Sequence, residues 1–116
     1  MEFKRMTLEL KERLDRLAQY YLENEKPKDK RDKDFFMFVR EQTTPTFQLL
    51  QEWEMEALKF VKNRDVRVHP QQVSSTKENM DLLLMHSYYI DVNRKRYMNL
   101  NKSVHYVFDI LLEDLN

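Results

Sequence analysis

The stretch 98–115, MNLNKSVHYVFDILLEDL, decides the fold class. At roughly 100° per residue, as in an α-helix, its apolar side chains fall on one arc about 100° wide. An apolar arc opposite charged residues is typical of an amphipathic helix that packs on a core. We therefore predict a helix here whose inner face is formed by Leu100, Val104, Val107, Phe108, Leu111 and Leu115.

Two earlier stretches show the same helical period. Segment 2–24 carries apolar residues spaced by three and four, and these are Phe3, Met6, Leu10, Leu14, Leu17 and Tyr21. Pro70 is well suited to a first helical position, so we predict a third helix over 70–95. Its inner face would consist of Val73, Thr76, Met80, Leu83, Leu84, Ser87 and Tyr88.

The second helix is predicted over 34–63, after a charged loop at 25–33. Asp34 could cap its first backbone N–H groups. Pro45 is expected to break or kink it, with Thr44 capping a restart. Met37 would point outward, and the inner face would comprise Phe35, Phe36, Phe38, Val39, Phe47, Leu50, Trp53, Ala57, Leu58, Phe60 and Val61.

Four helices with short links favour antiparallel neighbours. We therefore predict a single all-α domain over 1–116, an up-down-up-down four-helix bundle whose second helix is broken or kinked near Pro45. The alternative is a looser helical array, if Pro45 fully separates 34–44 from the rest.

The composition excludes several classes of function. The chain has no glycine and no cysteine, so glycine-rich phosphate loops, disulfides, thiolate catalysis and cysteine-based metal sites are ruled out. Its formal net charge is zero, which disfavours nucleic-acid binding. We find neither a signal peptide nor an apolar run long enough for a membrane span, and we expect a cytoplasmic protein.

Scattered residues over 34–106 resemble the YppE-like proteins of Gram-positive bacteria. They are Asp34-Phe35-Phe36, Trp53 with Ala57-Leu58, His69 with Gln72, Asn79, Ser87-Tyr88, Lys95-Arg96-Tyr97, and Ser103-Val104 with Tyr106. The resemblance implies a small helical bundle in a bacterial cytoplasm. It implies no activity and no site residues, because the family is uncharacterised.

The sequence offers little for catalysis or metal binding. Di-iron bundles need Glu-x-x-His pairs, and the chain contains none. His69 lies in a loop, His86 on the flank of the third helix, and His105 is expected to pair with Asp109 on the surface. We therefore expect no enzyme activity, no metal site and no cofactor.

Three polar residues fall on apolar stripes, and these candidate inward polar groups are Glu54, Ser87 and Asp91. A carboxylate on an apolar stripe costs free energy unless it is paired. Antiparallel register predicts that Glu54 contacts Lys77, and Asp91 has Arg94 nearby. In the alternative, Asp91 lies at a solvated end of the bundle and Glu54 lies on a half-exposed seam between two helices.

A basic patch is predicted where the first and third connections share one end of the bundle. Its residues are Lys30, Arg31, Lys33, Arg94, Lys95 and Arg96. Such a patch could attract an anionic partner, although a charge run can equally be solvated surface.

The third helix is apolar on all sides at 82–85. Opposite Met80, a stripe at coiled-coil-like spacing consists of Leu82, Met85, Tyr89 and Val92. It could pack on a second copy or on another protein. The competing geometry covers both faces within one bundle.

The leading functional prediction is therefore a protein-interaction or self-associating module, acting as a homodimer or with a protein partner. The alternatives are a small-ligand or metal-binding bundle and a nucleic-acid-associated accessory protein.

Overall fold

The computed structural model covers residues 1–116 and contains four α-helices and no strands. Helix α1 spans Glu2–Glu23, α2 Lys33–Lys62, α3 Pro70–Tyr89 and α4 Arg94–Asp114. They form the predicted up-down-up-down bundle, in which α1 and α3 pack on each other across one diagonal while the backbones of α2 and α4 stay apart. None of the four helices combines the length and apolar character needed to cross a membrane.

The predicted core is largely confirmed. All six predicted α1 residues are buried, as are Trp53, Leu83, Val107 and Leu111. In α4, Leu100 and Leu115 pack on the edge of the core, and sequence periodicity missed the buried Tyr97 and Asn101. Tyr97 was missed because the predicted helix began only at Met98, and Asn101 because it is polar and lies just beyond the edge of the apolar arc.

Trp53 is the centre of the core and is completely buried. Its indole N–H donates to Thr7 Oγ1 at 3.0 Å, and the Thr7 hydroxyl donates to the carbonyl of Phe3 at 2.9 Å. The Trp53 ring stacks on the ring of Phe3, and it contacts Phe108 edge-on with 5.4 Å between the ring centroids. One side chain of α2 thus joins α1 and α4.

Helix α2 differs from the prediction at its start, and of the break or kink expected at Pro45 the break does not occur. Asp32, not Asp34, caps it by accepting the backbone N–H groups of Asp34 and Phe35. The helix is continuous through Pro45, so Thr44 starts no new helix. Its inner face runs unbroken through Val39, Thr43, Thr46 and Leu50, and burial of this face offsets the hydrogen bond that Pro45 cannot donate.

Three apolar residues predicted for the inner face of α2 are exposed instead: Phe36, Phe38 and Leu58. The buried stripe follows one residue in every three or four, and these side chains lie on its flanks. Phe38 contacts Tyr88 edge-on, whereas Phe36 is 55% exposed beside the 51% exposed Met37. The predicted outward position of Met37 is confirmed.

The junction of α3 and α4 also differs from the prediction. Helix α3 ends at Tyr89 and α4 begins at Arg94, rather than at Lys95 and Met98. Ile90 adopts the left-handed conformation with φ 51°, and Asn93 caps α4 by accepting the backbone N–H of Arg96. Arg94, Lys95 and Arg96 consequently form the first turn of α4.

We expect Thr7→Val to lower the free energy of unfolding by about 1–3 kcal/mol, because it leaves the buried Trp53 N–H without an acceptor. Thr44→Val is a matched control, since the exposed Thr44 hydroxyl bonds only to the Arg40 carbonyl of its own helix. Urea unfolding would measure both. Equal losses from the two substitutions would contradict the role given to Thr7.

Arg64 follows α2 in the left-handed conformation, with φ 58°. Glycine is the residue that adopts this conformation most readily, so Arg64→Gly should raise the free energy of unfolding by about 0.5–1 kcal/mol. Arg64→Ala keeps the Cβ and should give no such gain. Thermal unfolding of the two variants would check the prediction, which fails if alanine stabilises as much as glycine.

Candidate functional sites

Ser87 is buried as predicted, but it belongs to a structural network. Its hydroxyl donates to the Leu83 carbonyl and lies 2.6 Å from the hydroxyl of Tyr97. Tyr97 stacks on Tyr21 with 3.9 Å between ring centroids, and the Tyr21 hydroxyl donates to the Val92 carbonyl at 2.7 Å. The network ties the end of α1 to the junction of α3 and α4.

Neither of the other two candidate inward polar groups is buried in the core. Asp91 follows the end of α3, so it does not continue the inner face of that helix; its carboxylate lies 2.7 Å from His86 Nδ1. Glu54 lies on a half-buried seam. Lys77 forms its ion pair with Asp81 at 2.8 Å rather than with Glu54. The hydrogen bond to Asp81 raises the pKa of Lys77, and the nearby charge of Glu54 contributes to the same shift.

The histidines do not gather a metal site. No group of three or more His, Cys, Asp or Glu side chains converges in the structure. His105 pairs with Asp15 at 2.9 Å instead of the expected Asp109, which pairs with Lys11 at 2.7 Å. Both pairs join α1 to α4 in antiparallel register, which the sequence of α4 alone could not reveal.

The stripe predicted on α3 is partly covered by its own chain. Tyr89 meets Phe35 edge-on at 5.3 Å between centroids, Val92 packs against the core, and Met85 is half-buried. Only Leu82 is exposed. The run 82–85 is apolar on all sides because α3 contacts all three other helices. This arrangement of α3 corresponds to the alternative geometry, in which the helices of one bundle cover both faces of α3.

The first and third connections do share one end of the bundle. The Tyr21–Val92 hydrogen bond joins the end of α1 to the third connection, and the Phe35–Tyr89 contact joins the start of α2 to the end of α3. All six residues of the predicted basic patch are exposed: Lys30, Arg31, Lys33, Arg94, Lys95 and Arg96. Among them only Arg31 forms an ion pair, with Asp29 at 3.9 Å.

The acidic residues at this end are largely engaged in local structure. Asp32 caps α2, Asp29 accepts the backbone N–H of Arg31 at 2.9 Å, and Asp91 pairs with His86. Cations in the first turn of a helix oppose the helix dipole, yet Arg94, Lys95 and Arg96 occupy the first turn of α4. Arg94, Lys95 and Arg96 form no ion pair, and their position opposes the dipole of α4. Neither ion pairing nor the stability of α4 therefore explains why these three positions are cationic.

A surface that the sequence analysis missed lies on the outward side of α2. It consists of Lys33, Phe36, Met37 and Arg40, spaced i, i+3, i+4 and i+7, and we call it the α2 stripe. This spacing aligns the four side chains on one helix face, and all four residues are exposed. Neither cation forms an ion pair, so an apolar pair lies between two free positive charges.

Burial raises the pKa of Tyr97 from 10.0 to about 12. Because the folded-state pKa lies above the unfolded one, the associated stability is complete below pH 10 and is lost as the pH rises toward 12. We expect Tyr97→Phe to cost about 0.5–1.5 kcal/mol near neutral pH through loss of the hydrogen bond.

From pH 8 to pH 11 the unmodified protein should then lose about 1.4 kcal/mol more than Tyr97→Phe. Urea unfolding at both pH values would measure the difference. Tyr106→Phe changes an exposed tyrosine and should keep the original pH dependence. Parallel pH curves for the protein and Tyr97→Phe would contradict the assignment.

Comparison with known proteins gives a consistent result. Residues 7–115 match the model of a bacterial domain of unknown function, DUF1798. The uncharacterized protein YppE of Bacillus subtilis is 26% identical over 83 residues, which span 71% of this chain and 68% of YppE. The crystal and solution NMR structures of YppE superpose with TM-scores of 0.82 and 0.80 at 22% identity. Each superposition covers 98% of this chain and 92% of YppE.

Proposed function

The chain belongs to the bacterial domain family of unknown function DUF1798, and we propose that it is a non-catalytic docking module for an acidic, amphipathic helix of a protein partner in the cytoplasm. The α2 stripe carries this proposal. Consecutive exposed apolar residues are unfavourable on a soluble protein unless they serve an interaction. Phe36 and Met37 are such a pair, and each is more than half exposed.

The charges select the partner. Lys33 and Arg40 flank the apolar pair, and the unpaired cations Lys30, Arg94, Lys95 and Arg96 lie at the same end of the bundle. A partner helix with acidic residues one helical turn on either side of an apolar pair would complement this arrangement. The dipole penalty at the start of α4 supports the proposal, because functional surfaces are where a fold departs from its own stability rules.

A second copy of the chain fits the α2 stripe less well. A two-fold contact between identical stripes would place Lys33 of one protomer against Arg40 of the other, and like charges in contact are unfavourable. Self-association through Leu82, Met85, Tyr89 and Val92 also has less support, since most of that stripe is covered within the chain. Nucleic acid is disfavoured by the formal net charge of zero.

The proposal can be tested with a fluorescein-labelled synthetic helix that carries Glu at i and i+7 and Leu at i+3 and i+4. One control peptide replaces Glu by Lys, and another replaces Leu by Ser. We expect fluorescence anisotropy to detect binding of the acidic amphipathic peptide alone, with affinity falling as salt rises. Equal binding of the Lys peptide would overturn the proposal, as would the absence of binding by all three peptides.

Two double variants test whether the acidic amphipathic peptide binds at the α2 stripe. We expect each to weaken peptide binding about tenfold or more. They are Phe36→Ser/Met37→Ser and Lys33→Glu/Arg40→Glu. Met55→Ser is the matched control, because Met55 is 64% exposed on the same helix beside Glu52 and Glu56. Substitutions at such exposed sites should change stability by only about 0.5 kcal/mol.

Three further results would overturn the assignment. The first is an equal loss of peptide binding in Met55→Ser. The second is tighter, charge-dependent binding of a single-stranded DNA oligonucleotide, which would assign the surface to nucleic acid. The third is a dimer in light scattering that Phe36→Ser/Met37→Ser dissociates, which would assign the surface to self-association.

A further inference from the structure

A polar groove of about 470 Å³ lies between the first half of α3 and the middle of α4. Its lining includes Gln71, Ser75, Thr76, Asn79, Lys102 and Tyr106, and it contains no carboxylate. The groove is separate from the α2 stripe, because α2 contributes no residue to it. Its volume lies within the range of sites that hold small molecules.

Thr76 shows that this groove has an unused hydrogen-bonding group. The residue is 2% exposed, and its hydroxyl forms no hydrogen bond, unlike those of Thr7, Thr43 and Ser103. Each of those three donates to the carbonyl four residues earlier in its own helix. Although the residue as a whole is almost completely buried, solvent still reaches its hydroxyl, because Thr76 lines the wall of the open groove.

The other polar groups in the wall are also free. The side chains of Gln71, Asn79, Lys102 and Tyr106 form no hydrogen bond within the protein, and Lys102 forms no ion pair. Each amide offers two N–H donors beside an acceptor oxygen, a geometry suited to neighbouring hydroxyl groups of one ligand. Tyr106 adds an exposed aromatic face on which the C–H side of a sugar ring can lie.

From this chemistry we infer that the groove binds a polyol of monosaccharide size that carries one anionic group. Hydroxyl groups would bond to Thr76, Asn79 and Gln71, and the anionic group would lie against Lys102. A cationic ligand would find no carboxylate in the wall, and an apolar ligand would leave most of these polar groups without partners.

Titration of the ¹⁵N-labelled full chain with glucose 6-phosphate tests the inference, with glucose and inorganic phosphate as separate probes. We expect glucose 6-phosphate to shift the side-chain amide signals of Gln71 and Asn79 and the backbone signals near 76 and 103. The dissociation constant should be about 1 mM, with both partial probes about tenfold weaker. No shift at about 20 mM would overturn the inference, and equal affinity for phosphate would reduce the groove to a non-specific anion site.

Thr76→Val is the decisive variant, because it removes the hydroxyl and keeps the shape. We expect about tenfold weaker binding of glucose 6-phosphate without a lower melting temperature, since the hydroxyl stabilises nothing within the protein. Lys102→Ala should lower affinity for glucose 6-phosphate but not for glucose. Thr43→Val, which changes a buried threonine on α2, should leave binding unchanged. A lower melting temperature with intact binding in Thr76→Val would assign Thr76 a structural role and overturn the inference.

Discussion

The hydrogen bond from the Trp53 indole to Thr7 is the constraint on which the bundle depends. A completely buried indole N–H needs an acceptor, and only a hydroxyl held by its own backbone bond to Phe3 provides one here. The bond fixes the rotation of α1 against α2, and the contact of Trp53 with Phe108 extends that register to α4. The Lys11–Asp109 and Asp15–His105 pairs between the antiparallel helices α1 and α4 follow from this alignment.

With Trp53 filling the space between α2 and α4, α1 and α3 become the close diagonal pair. Helix α3 is then covered on most of its circumference, and its apolar run is used inside the bundle. Two of the surfaces left without intramolecular partners are the outward face of α2 and the polar groove between α3 and α4. One has two free cations around an apolar pair, and the other has free amides and hydroxyls, so they suit ligands of different chemistry.

The sequence predicted best what depends on local periodicity. The inner face of α1 and most of the inner face of α4 follow from side-chain spacing, since each of these helices has one apolar stripe. The caps at Asp32 and Asn93 were missed because several neighbouring side chains could have served, and three-dimensional packing selects among them. The sequence left open whether Pro45 breaks or only kinks α2 for a related reason, since burial on both sides of the proline decides that the helix continues. Phe36 was assigned to the core because it is aromatic, although its spacing from Lys33, Met37 and Arg40 was a readable signal of an outward stripe. No sequence pattern indicated the groove, which is formed by two helices meeting.

Pro45 also separates α2 into two units, 33–44 and 46–62, that are held by different contacts. The proline has no N–H to donate to the carbonyl of Glu41, so the helix lacks one backbone hydrogen bond where the two units meet. The first unit is held by Val39, Thr43 and the aromatic contacts of Phe35 and Phe38, whereas the second contains Trp53. Segments of low local stability open as cooperative units well before the whole fold does. Amides of 33–44 should therefore exchange through a sub-global opening that leaves the Trp53 core intact, and the α2 stripe lies entirely within that more labile unit.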